Sequence, residues 1–440
     1  MNPYKPYPVY KDSGVEWLGK VPEDWEIKLL GQIGKFQKGN GATKADEAPA
    51  GVPCIRYGDL YTTHNFFIHH SRSFVACERL PEYTIIQYGD VLFAASGETH
   101  EEIGKSAVNL IQSEACCGGD IIIFRATLEV DPAFIGYAAD CRLSVAQKSL
   151  MGRGFTVIHI YADQLKKLYI VFPPLSEQIQ ISAFLNQETA RINALVSKKS
   201  RFIELLREKR QALITQAVTR GLDPTVKMKD SGVEWLGKVP EHWVVKPFKF
   251  CTLINAGQVD PKDEQQSSKI LVAPDHIEPS TGRLIEQIRA ADQGAISGKY
   301  TVNKGQIIYS KIRPALNKLC ISEGEWLCSA DMYAISPTNG ILDEWLFYFM
   351  LSRFFVEFVV VTSSRVAMPK TNREEIGVVP VLVPAKNEQA QIIKYLKDEL
   401  DRVDSISSKT QHSINLLKER RAALITAAVT GQIDVRCRPE

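Results

Sequence analysis

Several features that would each point to a chemistry are missing from this sequence. Its nine cysteines include no CxxC pair and no Cys/His spacing that would present four ligands to zinc. They read as reduced, mostly buried thiols, and no metal is expected. No apolar run approaches the roughly 20 residues of a membrane helix, and the opening MNPYKPYPVY lacks the apolar core of a signal peptide. A cytoplasmic protein with no membrane partner is therefore expected. Charge of one sign is also lacking, with 53 Lys and Arg against 51 Asp and Glu. A balance of +2 neither requires nor excludes nucleic acid, because basic side chains can gather on one face. There is no GxxxxGK[ST] phosphate loop, no glycine fingerprint of a dinucleotide or methyl-donor fold, no HExxH and no GxSxG. His69 and His70 are adjacent, so their side chains diverge, and a structural or surface role is expected. Ser96-Gly97-Glu98-Thr99 could set small polar groups beside a ligand, but no base is visible near Ser96 in the sequence to activate it as a nucleophile, a loop is expected there, and no catalytic residue is assigned.

What is present is ordinary globular composition, 45% hydrophobic and 24% charged, over 440 residues, a length that calls for two or more domains. The organisation is a tandem duplication. Lys11 to Glu23 reads KDSGVEWLGKVPE, and Lys229 to Glu241 repeats those thirteen letters. Downstream, REKRQALITQAVT (Arg207 to Thr219) matches KERRAALITAAVT (Lys418 to Thr430) at nine of thirteen positions. Between these ends the halves diverge over a shared skeleton. Gly89-Asp90-Val91-Leu92-Phe93 parallels Gly305-Gln306-Ile307-Ile308-Tyr309, each an apolar strand launched from a glycine turn. One scaffold carrying two contents suits a protein that reads two different things with one geometry.

The second repeat is a long helix. Ser176 to Arg220 contains no proline, and Gly221 stands where a helix C-cap wants glycine. Leu185, Ile192, Leu206 and Leu213 fall on one heptad position, Leu195 and Phe202 on a partner position. In the second copy Leu396, Val403, Leu417 and Leu424 fall on the first set and Ile406 on the second. A helix of this length spans about 67 Å, and two such helices are expected to pair antiparallel, since neither buries its stripe alone. The intervals 21–172 and 239–383 read as mixed α/β domains with one helix candidate each, Ala133 to Ser149 and Asp343 to Phe358. Trp17 and Trp25 recur as Trp235 and Trp243, a pairing that suggests docking of each domain onto the helices rather than stacking on bases.

Basic residues single out possible contacts. In Tyr309-Ser310-Lys311-Ile312-Arg313-Pro314, Lys311 and Arg313 alternate with apolar neighbours and should leave a strand on one face. The segment from Ser363 to Arg373 concentrates Arg365, Lys370, Asn372 and Arg373, side-chain types that meet phosphates and base edges. Its counterpart runs from Gln147-Lys148 to Arg153-Gly154-Phe155-Thr156.

Taken in order, the DSGVEWLGKVPExW opening, the GDVLF and GQIIYSKIRP strands, the PPLSEQ and VPAKNEQ helix entries and the KRQALITQAVT ending resemble the specificity subunits of type I restriction-modification systems, over nearly the whole chain. The resemblance implies an α/β (mixed α+β) fold with two target recognition domains separated by two long antiparallel coiled-coil helices. The corresponding divisions are 1–172, 173–222, 223–383 and 384–440. It also implies a non-catalytic chain that binds double-stranded DNA, each domain reading half of a bipartite site. The helices would dock methyltransferase subunits that modify adenine with S-adenosylmethionine, and restriction subunits that hydrolyse ATP with magnesium would join them. Carried over by position, the contacts would include Ser310, Lys311, Arg313 and the loop from Arg365 to Arg373, with Lys148, Arg153 and Thr156 in the first domain. Where the second domain has Ser310-Lys311-Ile312-Arg313 the first has Ala94-Ala95-Ser96-Gly97, so Ser96 and Thr99 are its candidates and the half-sites should differ. A free-standing DNA-binding protein and a scaffold without DNA remain alternatives, separable by salt-dependent DNA binding.

Overall fold

The structure, a computed structural model, describes residues 4–41, 46–234, 236–254, 257–363 and 369–436. The chain forms two compact units, residues 1–199 with 412–440, and residues 200–411. Each long helix, Leu175–Arg220 and Lys386–Val429, gives one half to each unit.

The two domains share one strand order. In the first unit a five-stranded sheet runs Gly34–Lys38, Ile121–Ala126, Val91–Ala94, Ser106–Asn109, Phe66–Ile68, beside a four-stranded sheet Ser73–Val75, Val52–Ile55, Ala115–Cys117, Thr84–Ile86. In the second unit the same order appears as Thr252–Ile254, Met332–Pro337, Ile307–Ser310, Leu319–Ile321, with Leu271–Val272, Trp326–Cys328, Tyr300–Val302 beside it, and without counterparts of the edge strands Phe66–Ile68 and Ser73–Val75 among the described residues. The glycine-launched strand is buried on both faces, which explains its continuous apolar run. Alternation divides its side chains: Val91 and Phe93 enter the core shared with the helices, Leu92 and Ala94 a second core. Ile307 and Tyr309 separate from Ile308 in the same way. Gly89 and Gly305 sit at φ +88° and +89°, left-handed turns that any side chain would strain.

Each expected single helix is two. Pro132–Asp140 and Arg142–Met151 are broken at Cys141, and Asp343–Leu351 and Arg353–Thr362 at Ser352, where the backbone is extended. Ser352 caps the second helix by accepting from Phe355 N–H, so a local side-chain bond competes with helix continuation. No single helix among the described residues is long and apolar enough to cross a membrane.

The helix entries explain their own repeated letters. Gln178, buried, donates to Pro173 O (2.8 Å) and accepts from Asp131 N–H (3.0 Å) at the start of the domain helix. Gln389 does the same with Pro384 O (2.9 Å) and Leu342 N–H (2.9 Å). The glutamate one residue earlier holds the repeated tryptophan: Trp25 Nε1 donates to Glu177 (3.1 Å), Trp243 Nε1 to Glu388 (3.0 Å). Both indoles are wholly buried, as docking predicts. Trp17 instead stays 48% exposed against the Tyr169 edge, and Trp235 lies outside the described residues. Helix ends and hairpins close on glycine. Gly221 (φ +74°) lets the helix end at Trp243, and Gly431 (φ +74°) presses on Pro22 and Trp25, where a Cβ would lie 2.3 Å from Pro22 Cδ.

Within each unit the helix halves run antiparallel. Arg421 donates to Asn193 (2.5 Å) while Ile425 and Ala428 share a core with Ile181 and Leu185. Arg210 lies 3.6 Å from Asp404 while Ile214 and Val218 share a core with Ile392 and Leu396. The first heptad set is buried or half-buried throughout: Leu185, Ile192, Leu206, Leu213, Leu396, Val403, Leu417 and Leu424. The partner set is displaced by one residue. Leu195, Phe202 and Ile406 are 40%, 45% and 44% exposed, and Val196, Ile203, Ser407 and Ile414 face inward instead. The true positions are partly polar (Thr189, Arg210, Ser407, Arg421), so apolar residues flanking the seam gave the stronger periodic signal.

Candidate nucleic-acid interface

In the second domain the strand ends at Ser310, before the alternation expected to present Lys311 and Arg313. Ser310 is buried and donates to Ile312 O (3.1 Å), closing the turn instead of facing a ligand. Arg313 adopts φ +49°, ψ +59°, a left-handed conformation costly for a side-chain-bearing residue. The two basic segments are joined by backbone bonds, Thr371 N–H to Lys311 O (2.9 Å) and Arg313 N–H to Pro369 O (2.9 Å). Four cations thereby share one edge. Lys311 Nζ stands 5.2 Å from the Tyr333 ring centroid and the Arg373 guanidinium 5.9 Å from it. Lys370 pairs with the half-exposed Asp331 at 3.5 Å, and Arg313 is exposed. Asn372 belongs to the scaffold: its Oδ1 caps the helix Arg373–Gly377 by accepting from Glu375 N–H (2.8 Å). Arg365 lies outside the described residues.

The first domain builds the same edge with other side chains. Ser96–Gly97 pairs with Ile158–His159, as Ile312 bridges Lys370, and Ile160 N–H reaches Ala95 O (2.9 Å) as Thr371 N–H reaches Lys311 O. Ala95, Gly97, His159 and Ala162 thus replace Lys311, Arg313, Lys370 and Arg373. Ser96 Oγ lies 3.1 Å from His159 Nδ1, and the imidazole stacks on Tyr161, centroids 6.4 Å apart. His159 and Tyr161 escaped the sequence reading, although Ile158-His159-Ile160-Tyr161 alternates as an edge strand would. Thr99 and Thr156 are exposed in turns flanking this edge, and the exposed Arg153 is bridged to it by two backbone bonds with His159 (2.9 and 2.8 Å). Gly154 (φ +130°) allows the loop to fold back where a Cβ would lie 2.1 Å from Val157 O.

Lys148 is a correction. Its side chain is wholly buried and donates to Gly104 O (2.7 Å), Ala139 O (2.9 Å) and Asp140 Oδ1 (2.9 Å), so all three ammonium protons are spent inside the domain. Burial pulls its ammonium below the ordinary lysine range, against the pull of Asp140. It sat in a basic sequence neighbourhood, but it faces inward from the helix Arg142–Met151.

Two divergent edges thus stand on one duplicated scaffold. The type I restriction modification DNA specificity domain family matches residues 22–205 and 291–416, more than half of the chain. This chain belongs to that family. Among curated relatives of this specificity-domain chain, the EcoDI type I restriction enzyme specificity subunit of Escherichia coli is 27% identical over 96% of this chain and 91% of its own length. The EcoKI specificity subunit of Escherichia coli K12 is 20% identical over 96% and 92%. A chain solved in a study of complex assembly and conformational transition of the type I R-M system superposes with TM-score 0.72 at 15% identity, covering 94% of this chain and 99% of its own. The HsdS subunit from Thermoanaerobacter tengcongensis gives 0.51 at 15% identity over 94% and 98%. The two solved structures share the fold of this chain.

Proposed function

We propose that this chain is the DNA-specificity subunit of a type I restriction-modification enzyme, a cytoplasmic, non-catalytic protein whose two domains each read one half of a bipartite site. The observation that carries this reading is the pair of equivalent edges. Backbone bonding is the same in both, while Ala95, Gly97 and His159 stand where Lys311, Arg313 and Lys370 stand in the other domain. Phosphate contacts position a protein and base contacts specify, so one scaffold with exchanged edge residues can serve two half-sites. In this reading the partners are double-stranded DNA, methyltransferase subunits held by the long helices, and restriction subunits. S-adenosylmethionine, ATP and magnesium serve those subunits. The chain alone should neither cleave nor methylate DNA nor hydrolyse ATP. The test is to map methylated adenines produced by the assembled complex, then to exchange residues 21–172 for the same interval of a relative. One half of the site should change and the other persist; methyl transfer by the isolated chain, or a change in both halves, overturns the reading.

A further inference from the structure

At the positions equivalent to Lys311, Arg313, Lys370 and Arg373 the first domain has no lysine or arginine, yet elsewhere it holds an arginine that the second lacks. Arg56 follows the strand Val52–Ile55 at the position where Ala273 follows Leu271–Val272. The correspondence is local as well as topological. Arg56 N–H donates to Asp59 Oδ2 (3.0 Å), and Ala273 N–H donates to His276 Nδ1 (3.3 Å), each side chain lying three residues on.

Arg56 stands in the wall of a cavity of about 760 Å³, with Tyr57, Asp59, Arg72 and Asp120. The cavity adjoins the edge described above through two bonds. Ala95 N–H donates to Asp120 O (2.9 Å), and Tyr61, on the helix Tyr57–Thr62, donates its hydroxyl to Ser96 O (3.0 Å).

The guanidinium is only partly satisfied. Nη1 pairs with Glu47 at 3.1 Å, while Nε and Nη2 are buried with no hydrogen-bond partner among the described residues. Buried donors without acceptors are destabilising and rare in folded proteins. Nε and Nη2 together are the side-on fork of arginine, two parallel N–H donors that match a pair of acceptors. The same domain shows that fork filled, in Arg125, whose Nε and Nη2 reach Asp90 Oδ1 and Oδ2 at 2.8 and 2.6 Å. In Arg56 no described residue fills the fork. Glu47 is 45% exposed, so this arginine is tethered at a rim from which it can turn outward.

We propose that Arg56 is a DNA-contacting residue of the first domain, its fork taking a pair of acceptors on DNA laid against this edge, either the O6/N7 edge of a guanine or two oxygens of one phosphate. The proposal rests on the DNA-specificity reading above. This cation of the first domain comes from the smaller sheet, whereas Lys311, Arg313 and Lys370 of the second come from loops of the larger one.

The test uses the full-length chain with its methyltransferase subunits and duplexes carrying the wild-type site, with every single-base variant of the first half-site, at several salt concentrations. Wild type without salt-dependent DNA binding overturns the specificity reading and the proposal with it. With wild type binding, a guanine contact predicts that Arg56→Ala weakens the cognate duplex roughly 5- to 150-fold and flattens discrimination at one base pair, with no rescue by Arg56→Lys. A phosphate contact predicts a uniform loss, a log–log salt slope smaller by about one, and partial rescue by Arg56→Lys. Glu47→Gln removes the same ion pair and should leave affinity unchanged or raise it. Arg56→Ala within twofold of wild type, or Glu47→Gln reproducing the Arg56→Ala loss, overturns the proposal.

Discussion

Lys148 and Asp140 form an ion pair sealed within the first domain, Nζ to Oδ1 2.9 Å, with 0% and 2% of their side chains exposed. The second carboxylate oxygen takes Lys105 at 2.7 Å, and Lys148 also ties down Gly104 O, at the foot of the turn that follows Ser96. Removing one member of a buried pair strands the other, at a cost of about 3–5 kcal/mol. Lys105 stays bound to Asp140, so Lys148→Met should lose about 3 kcal/mol, the lower end of that range. Urea unfolding measures it; a loss under 1 kcal/mol would mean that the pair is not needed for folding.

Arg313 sets stability against function. At φ +49° a side chain is strained, and glycine is not. Arg313→Gly should therefore keep or raise stability, by up to about 1 kcal/mol, while weakening binding to the second half-site by about 1–3 kcal/mol with relaxed preference at one base pair. Lys370→Ala should weaken all sequences alike and lower the salt slope by about one. Thermal melts paired with binding titrations decide the matter. Lost stability with binding intact would assign Arg313 to packing.

The corrected helix seam separates neighbours. Ile203 is 7% exposed and Phe202 45% exposed. Ile203→Ala should cost about 2–5 kcal/mol, whereas Phe202→Ala should stay within roughly 1 kcal/mol. Comparable losses in chemical denaturation would restore the register centred on Leu195 and Phe202.

Glu177 and Glu388 each hold a buried indole, and Glu177 also accepts from the Tyr7 hydroxyl at 3.1 Å. Replacing either glutamate with leucine leaves the indole N–H buried without an acceptor, an expected loss of about 1–3 kcal/mol. Glutamine can still accept and should lose less. Equal losses for leucine and glutamine would show that the carboxylate charge matters more than the hydrogen bond.

Much of the architecture was legible because it was written twice. The repeated hairpin, helix entry and helix end marked both domains without any knowledge of folding, and Gly89, Gly221 and Gly305 lay where left-handed turns demanded them. The long helices followed from uninterrupted periodicity, and the residues of their first heptad set are buried or half-buried. The candidate site was legible only in part. Lys311, Arg313, Lys370 and Arg373 do meet on one edge, but Ser310 and Asn372 close turns and caps there, and Lys148 is interior.

Sequence alone determined the duplication, the helices and the family, because these depend on local periodicity and on residues repeated along the chain. Tertiary structure alone decided which polar side chains are spent inside the protein and which remain for a ligand. Lys148 and Arg56 illustrate the difference. Lys148 lay in a segment that read as basic and Arg56 in one that did not, yet the first has every donor satisfied by Gly104, Ala139 and Asp140, and the second keeps two donors buried and unmatched among the described residues. The physical reason is that a donor's acceptors come from segments distant in sequence, brought together by folding, so its satisfaction leaves no periodic trace.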